Sequence, residues 1–286
     1  MKASAFSYAR ADSVADAVRL LAVHGDGARL LAGGQSLMSA MNLRLLAPDW
    51  LIDIGAIPDL RGITMTGATI RIGAGTRHAE IAGSPDIATY LPLLAQAIAQ
   101  VAHPAIRNRG TLGGNLAHAD PASELPACML ALDAVIIAAG PDGERRIAAD
   151  AFFTGIYQTA LRASELLVAV EIPVPAAGAV CFFHEFARRQ GDYAIVGLSA
   201  QALLTDGALG DLRLAYFAAG DRPTLAVKAA RELTGALTPE RLAAAQAALA
   251  DDLSPHDDQQ ATAAMRLHLA RVLLARTVAA LAGASR

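Results

Sequence analysis

Arg109-Gly110-Thr111-Leu112-Gly113-Gly114-Asn115-Leu116 is the stretch from which the rest of the chain is read. Glycine stands at Gly110, Gly113 and Gly114, after a helix-like segment and before His118-Ala119-Asp120-Pro121-Ala122-Ser123-Glu124. Backbone without side chains takes conformations closed to other residues and brings its N–H groups close to an anion, which is what cradling a phosphate requires. A diphosphate fits such a stretch. A second one of the same character lies upstream, where Arg29-Leu30-Leu31 reads as a short buried strand running into Ala32-Gly33-Gly34-Gln35-Ser36-Leu37. A helix-like run through Leu37, Met38, Met41 and Leu45 follows, and strand, glycine pair and helix start together aim N–H groups at an anion. Alone, a Gly-Gly pair is equally a plain turn. Neither the Gly-x-Gly-x-x-Gly fingerprint nor a P-loop occurs, since no Gly-Lys-Ser/Thr follows.

Composition bounds the rest. At 286 residues the chain exceeds the commonest single-core size, so two domains are expected. Its apolar fraction of 54% is carried by Ala and Leu rather than aromatics, which suits a helix-rich α+β protein with a large buried interface. A net charge of −3 gives no drive towards nucleic acid or an anionic membrane. Two cysteines, Cys128 and Cys181, are too few for an iron–sulfur cluster or a four-ligand zinc site and read as reduced core thiols. With no apolar run after Lys2 and no stretch long enough to span a bilayer, a soluble cytoplasmic protein is expected.

Taken in order, Ser13 caps a helix with Val14, Ala17, Val18 and Leu21 on its apolar face, ended by Gly25. Trp50 to Ile54 and Thr69 to Gly75 read as strands, Arg77 to Ile81 as a short helix, and 91–102 as a longer one with Pro92 in its first turn. Ser123 caps a helix through Leu132; Ala134 to Ala138 and Arg145 to Ile147 form a hairpin about Gly140-Pro141-Asp142-Gly143. Phe152-Phe153-Thr154-Gly155 and Leu166 to Pro173 complete the first region, and Pro173, Pro175 and Gly178 mark a linker. Beyond it, 180–188, 194–204 and 212–217 look like three antiparallel strands, and 224–234, 239–250 and 260–282 like helices with alanine-rich faces. His118 and His184 have no serine, cysteine or carboxylate at a spacing that makes either a base or a ligand, so both read as structural.

Ala32-Gly33-Gly34-Gln35-Ser36 after a strand, then Thr111-Leu112-Gly113-Gly114-Asn115, Asp120-Pro121 and Arg188-x-x-x-Asp192-Tyr193-Ala194, form a combination that resembles the FAD-binding medium subunit of the molybdenum hydroxylases. This is the family of xanthine dehydrogenase and aerobic carbon monoxide dehydrogenase. The resemblance runs the whole length, through Phe-Phe-x-Gly, Leu-Leu-x-x-Val-Glu-Ile-Pro and the small C-terminal region. It implies an α+β fold: a two-lobed PCMH-type FAD-binding domain over 1–176 (lobes about 1–56 and 57–176), then a domain over 177–286 of three-stranded antiparallel sheet plus helix bundle.

The resemblance also implies a site. Backbone N–H groups of Ala32, Gly33, Gly34, Gln35, Ser36 and Leu37, and of Thr111, Leu112, Gly113, Gly114 and Asn115, would hold the FAD diphosphate from two sides. The side chains of Ser36, Thr111 and Asn115 would add hydrogen bonds. Asp120 would lie near the diphosphate and ribose through its amide or a water, because a carboxylate aimed at phosphate repels it. Glu124 would accept from ribityl or ribose hydroxyls, Leu166 and Leu167 would line the adenine or flavin pocket, and Tyr193 would lie against the isoalloxazine ring. Where relatives often carry a basic residue this chain reads Phe183-His184-Glu185-Phe186; Arg188 or Arg189 is then the candidate positive group.

As a family member the chain would relay electrons from [2Fe-2S] clusters on a small partner subunit, after substrate oxidation at a molybdenum cofactor on a large one, within a dimer of heterotrimers. The acceptor stays open among a quinone, a cytochrome, dioxygen and NAD. Two other readings stay open as well: a free-standing flavin oxidase of the vanillyl-alcohol-oxidase type, and a non-catalytic assembly subunit. The first needs a substrate domain with its own acid–base residues, for which the C-terminal region looks too small.

Overall fold

Ser13 opens the first helix with its hydroxyl accepting from the Asp16 N–H at 3.1 Å, a cap worth about 1 kcal/mol. The computed structural model describes residues 2–283; Met1 and 284–286, the outer ends of the two expected domains, lie outside the described residues. The first elements are β1 (Ser7–Arg10), α1 (Val14–His24), β2 (Ala28–Leu31), α2 (Leu37–Asn42) and β3 (Trp50–Asp53). They form a parallel sheet in the order β1-β3-β2, with helices as crossovers, as parallel strands require. Leu20 joins Ala17 and Leu21 on the buried face of α1. The expected run to Leu45 is shorter than read: α2 stops at Asn42, Arg44 turns at φ 59° and Leu45 stands exposed.

Next come β4 (Ile63–Thr66), β5 (Thr69–Gly73), α3 (His78–Ala82), α4 (Pro85–Tyr90), α5 (Pro92–Gln100), α6 (Pro104–Arg107), α7 (Leu112–His118) and α8 (Glu124–Ala131). They are followed by β6 (Val135–Gly140), β7 (Gly143–Ala148), α9 (Ala149–Phe152), β8 (Phe153–Gly155), β9 (Gln158–Thr159) and β10 (Leu166–Pro173). The main sheet runs β4-β5-β10-β6-β7 with antiparallel neighbours, and the hairpin turn at Gly143 has φ 101°. Glu171, at the centre, faces Arg71 in register and binds it at 2.8 Å and Arg146 at 2.7 Å. Residues Leu166, Val168 and Ala169 of β10 also pack with Ala17, Leu21 and Ile52, so the two sheets share a core.

The remainder is β11 (Ala179–Ala187), β12 (Ala194–Thr205), β13 (Ala208–Phe217), β14 (Thr224–Leu225), α10 (Val227–Leu233), β15 (Gly235–Ala236), α11 (Pro239–Asp252) and α12 (Ala263–Gly283). Its sheet is larger than the expected three strands: β14 and β15 both add to β13, which begins four residues earlier than read. Every residue of α8 is buried, as a helix apolar all round after its first residue Glu124 must be. One core holds Leu125 and Met129 of α8, Ile98 of α5 and the stacked rings of Phe183 and Phe217, 5.7 Å apart, so the last sheet packs on the middle region through α8. Both cysteines are free, and burial pushes the Cys128 thiol up to about 12, an inert core group.

Candidate functional site

β2 delivers its chain end into Ala32-Gly33-Gly34-Gln35-Ser36, and Gly34 turns it at φ 72°, a conformation that favours glycine. Met38 N–H closes the first turn on the Gly34 carbonyl at 3.2 Å. Among the described residues no protein acceptor takes the backbone N–H of any residue from Ala32 to Leu37. Six adjacent amides without a partner form a row of donors, and donors of this kind are normally satisfied by ligand or solvent. The Ser36 hydroxyl makes no capping bond to α2 and Gln35 folds back onto the Gly33 carbonyl at 3.1 Å.

The second glycine segment is built differently. Expected as an open loop, Thr111 to Asn115 is the cap and first turn of α7, with the Thr111 hydroxyl accepting from Gly114 N–H at 3.1 Å. Leu112 N–H donates to Thr76 O at 3.0 Å, Gly113 N–H to Ala74 O at 2.8 Å and Asn115 N–H to Thr111 O at 3.0 Å. Only the Thr111 amide has no acceptor among these five, so the expected second row of donors is engaged within the chain. Glycine is needed here for closeness: a Cβ on Gly113 would lie 2.5 Å from that of Ala74. The Asn115 and Ser123 side chains bond each other reciprocally, at 2.8 and 3.1 Å, so Ser123 does not cap α8 with its hydroxyl.

Although distant in sequence, the two segments abut. A Cβ on Gly33 would collide with the Arg109 carbonyl oxygen and come within 2.9 Å of Gly110 Cα; one on Gly114 would approach Ala32 Cβ at 3.9 Å. His78, buried behind Gly110 with neither ring nitrogen bonded, is held down to about 4 by burial and stays neutral.

At its other end α7 stops at Ala119, φ 51°, and an acidic and aromatic cluster begins. Asp120 accepts from Ala122 N–H at 2.9 Å and from the Tyr157 hydroxyl at 3.4 Å, and Pro121 O ties the loop to Ala218 N–H at 2.7 Å. Glu124, the first residue of α8, is 8% exposed; burial, helped by the Asp120 charge, raises its carboxyl to about 7. One turn on, Cys128 Sγ lies 3.3 Å from Ser199 Oγ, and Ser199 pairs with Phe183, two residues before Glu185 on the same strand face. Glu124 and Glu185 therefore share one end of this layer. Burial, then the Glu124 charge, raises Glu185 to about 8.

Tyr193, 59% exposed, borders the same cluster, with its phenol raised by burial and by Asp120 and Glu124. Leu166 and Leu167 do not: at 1% and 5% exposure they are packed inside two core clusters and present no open face. Arg188 turns to the Gln259 carbonyl at 3.3 Å rather than to the cluster. Tyr157, which the sequence did not single out, announces itself only through its backbone, at φ 53°. Two surface hollows, of about 290 and 620 Å³, lie around the β6–β7 turn, apart from both glycine segments.

A donor row braced by a glycine-packed helix, with an acidic and aromatic end, has the chemistry of an anion-binding site, and comparison with known proteins gives the family. The family profile described as the FAD binding domain in molybdopterin dehydrogenase matches residues 4–175, and that of the CO dehydrogenase flavoprotein C-terminal domain matches 181–281. The chain is 40% identical over 281 residues to the 6-hydroxypseudooxynicotine dehydrogenase complex subunit alpha of Paenarthrobacter nicotinovorans, covering 98% of this chain and 95% of that protein. It is 40% identical over 279 residues to the nicotine 6-hydroxylase medium subunit of the same organism, covering 97% and 98%. A solved chain of carbon monoxide dehydrogenase from Hydrogenophaga pseudoflava superposes with a TM-score of 0.95 at 38% identity, covering 96% of each chain. The chain belongs to the FAD-binding medium subunits of the molybdenum hydroxylases. It is the flavoprotein subunit of a molybdenum-containing oxidoreductase, with FAD as its cofactor.

Proposed function

We propose that this chain passes electrons from iron–sulfur clusters of a small partner subunit to an external acceptor, after a large subunit has oxidised substrate at its molybdenum cofactor. The observation that carries the reading is the row of unengaged amides at Ala32 to Leu37, pressed against Arg109 and Gly110. FAD bound there supplies the storage of one or two electrons that no side chain of this protein offers. The amides of Ala32 to Leu37 and of Thr111 hold the diphosphate, with the Ser36 hydroxyl beside them. Leu112, Gly113, Gly114 and Asn115 form the wall that keeps those donors in place, and Asp120, Glu124 and Tyr193 hold the sugar chain and ring. Leu166 and Leu167 act from behind, as core.

The division into 1–176 and 177–286, a dimer of heterotrimers and a cytoplasmic setting belong to the same proposal. No helix among the described residues is long and apolar enough to cross a membrane, and none of their His, Cys, Asp and Glu side chains cluster as a metal site. The relay is tested by anaerobic absorption spectroscopy of the chain co-expressed with its large and small partners. Flavin bands that bleach with substrate only when both partners are present support it. Bleaching in the isolated chain would support a self-contained oxidase, and a chain that takes up no flavin would refute the reading.

A further inference from the structure

Tyr157 combines three features that ordinary packing does not explain. It is a bulky aromatic residue in left-handed backbone, φ 53°, where such side chains are genuine outliers. The residue is nonetheless 55% exposed. Yet its position is fixed on both sides: it lies against the His118 ring, centroids 4.9 Å apart and tilted by 42°, and its hydroxyl donates to Asp120 at 3.4 Å. Backbone strain of this kind costs on the order of 1–3 kcal/mol and gathers at ligand clamps. The cluster also places Tyr157 at the C-terminal end of α7, while the amide row lies at the N-terminal end, about 10 Å away at 1.5 Å per residue.

We propose that Tyr157, presented by the β8–β9 turn and aligned by His118 and Asp120, is an aromatic wall for the ring of the bound flavin. The proposal rests on the reading of the amide row and this end of α7 as the FAD site. Tyr193 borders the same space, so the planar ring meets aromatic surface from two separate loops. His118 thereby acquires a role as the support that orients Tyr157, and the Tyr157 hydroxyl bond to Asp120 sets the tilt.

The test compares FAD with ADP, which shares the diphosphate and lacks the flavin, by titration of the full chain monitored through flavin fluorescence and calorimetry. Y157A should weaken FAD about tenfold or more, as loss of an aromatic stacking surface does, reduce quenching of the bound flavin and leave ADP affinity unchanged. Y157F, which keeps the ring, should retain quenching. Y157N, suited to left-handed backbone, should be at least as stable as the parent without ligand while binding FAD as weakly as Y157A; this separates a folding defect from a binding one. Equal weakening of FAD and ADP, or no change in either, would overturn the role of Tyr157. Failure of the parent chain to bind FAD would overturn the site itself.

Discussion

The two glycine segments look alike in sequence and are opposites in structure. Ala32 to Ser36 is open backbone whose amides point to no protein acceptor, while Thr111 to Asn115 is helix whose amides, apart from Thr111, are engaged by Ala74, Thr76 and Thr111 itself. A Gly-Gly pair thus serves two needs: at Gly34 a left-handed turn, at Gly113 contact with a neighbouring strand end. One segment offers hydrogen-bond donors and the other positions them. Substitutions that add a single methyl group therefore separate the two jobs.

The largest effect is expected at Gly33, where both jobs meet. G33A would drive Cβ into the Arg109 carbonyl and force the segments apart. Overpacking of this kind costs roughly 1–3 kcal/mol, and the donor row would lose its alignment, so FAD content of the purified chain should fall at least tenfold. Full flavin content in G33A would show that the abutment does not matter. G113A comes next: its collision with Ala74 lies behind the helix, so a comparable loss of stability, about 1–3 kcal/mol in denaturant unfolding, should accompany a smaller loss of FAD affinity in the folded fraction. A loss of affinity as large as that of G33A would erase the distinction. T111A removes the cap that α7 receives through Gly114 N–H and should cost about 1 kcal/mol with little change in the flavin spectrum. A loss of FAD as large as in G33A would make the Thr111 hydroxyl, and not only its amide, a direct ligand.

This difference explains what the sequence could and could not reveal. That the two glycine segments lie near each other was implied by the resemblance, which put them on two sides of one diphosphate; that Gly33 packs directly on Arg109 and Gly110 was not readable. That Leu112 to His118 is helix was not: two glycines each disfavour a helix by about 1 kcal/mol, and only the carbonyls of Ala74 and Thr76, invisible in a linear reading, reverse that preference. Helix α4 was not read, although Ser84-Pro85 signals a helix start, a capping serine followed by proline, with the Ser84 hydroxyl accepting from Ile87 N–H at 3.3 Å. The strand β4, between Gly62 and Gly67, is half of a hairpin whose apolar alternation is too short to show. Tyr157 had no signal at all, since a positive φ is a property of the folded backbone.

The contrast between engaged and unengaged groups extends to the far end of α7, where it becomes a pH dependence. Glu124 and Glu185 titrate at about 7 and about 8 in the folded chain, each raised chiefly by burial, whereas an unfolded glutamate titrates near 4.5. The folded state then holds more protons than the unfolded one between these values, so the stability these two carboxyls contribute is fully present below 4.5 and is lost as pH rises to the folded pKa values. His78 works in the opposite direction, since a histidine depressed to about 4 adds stability as pH rises towards 6.5. Above pH 6.5 only about 0.4 kcal/mol of that contribution remains to be gained, which leaves the two carboxyls to set the slope. Unfolding by urea should therefore show a loss of roughly 2 kcal/mol between pH 6.5 and 8.5. In E124Q the slope should fall by half or more, because the neutral amide no longer titrates and no longer raises Glu185. A parent chain equally stable at both pH values would mean that Glu124 and Glu185 are already ionised at pH 6.5, and that this end of the site carries two negative charges instead of two protonated carboxyls.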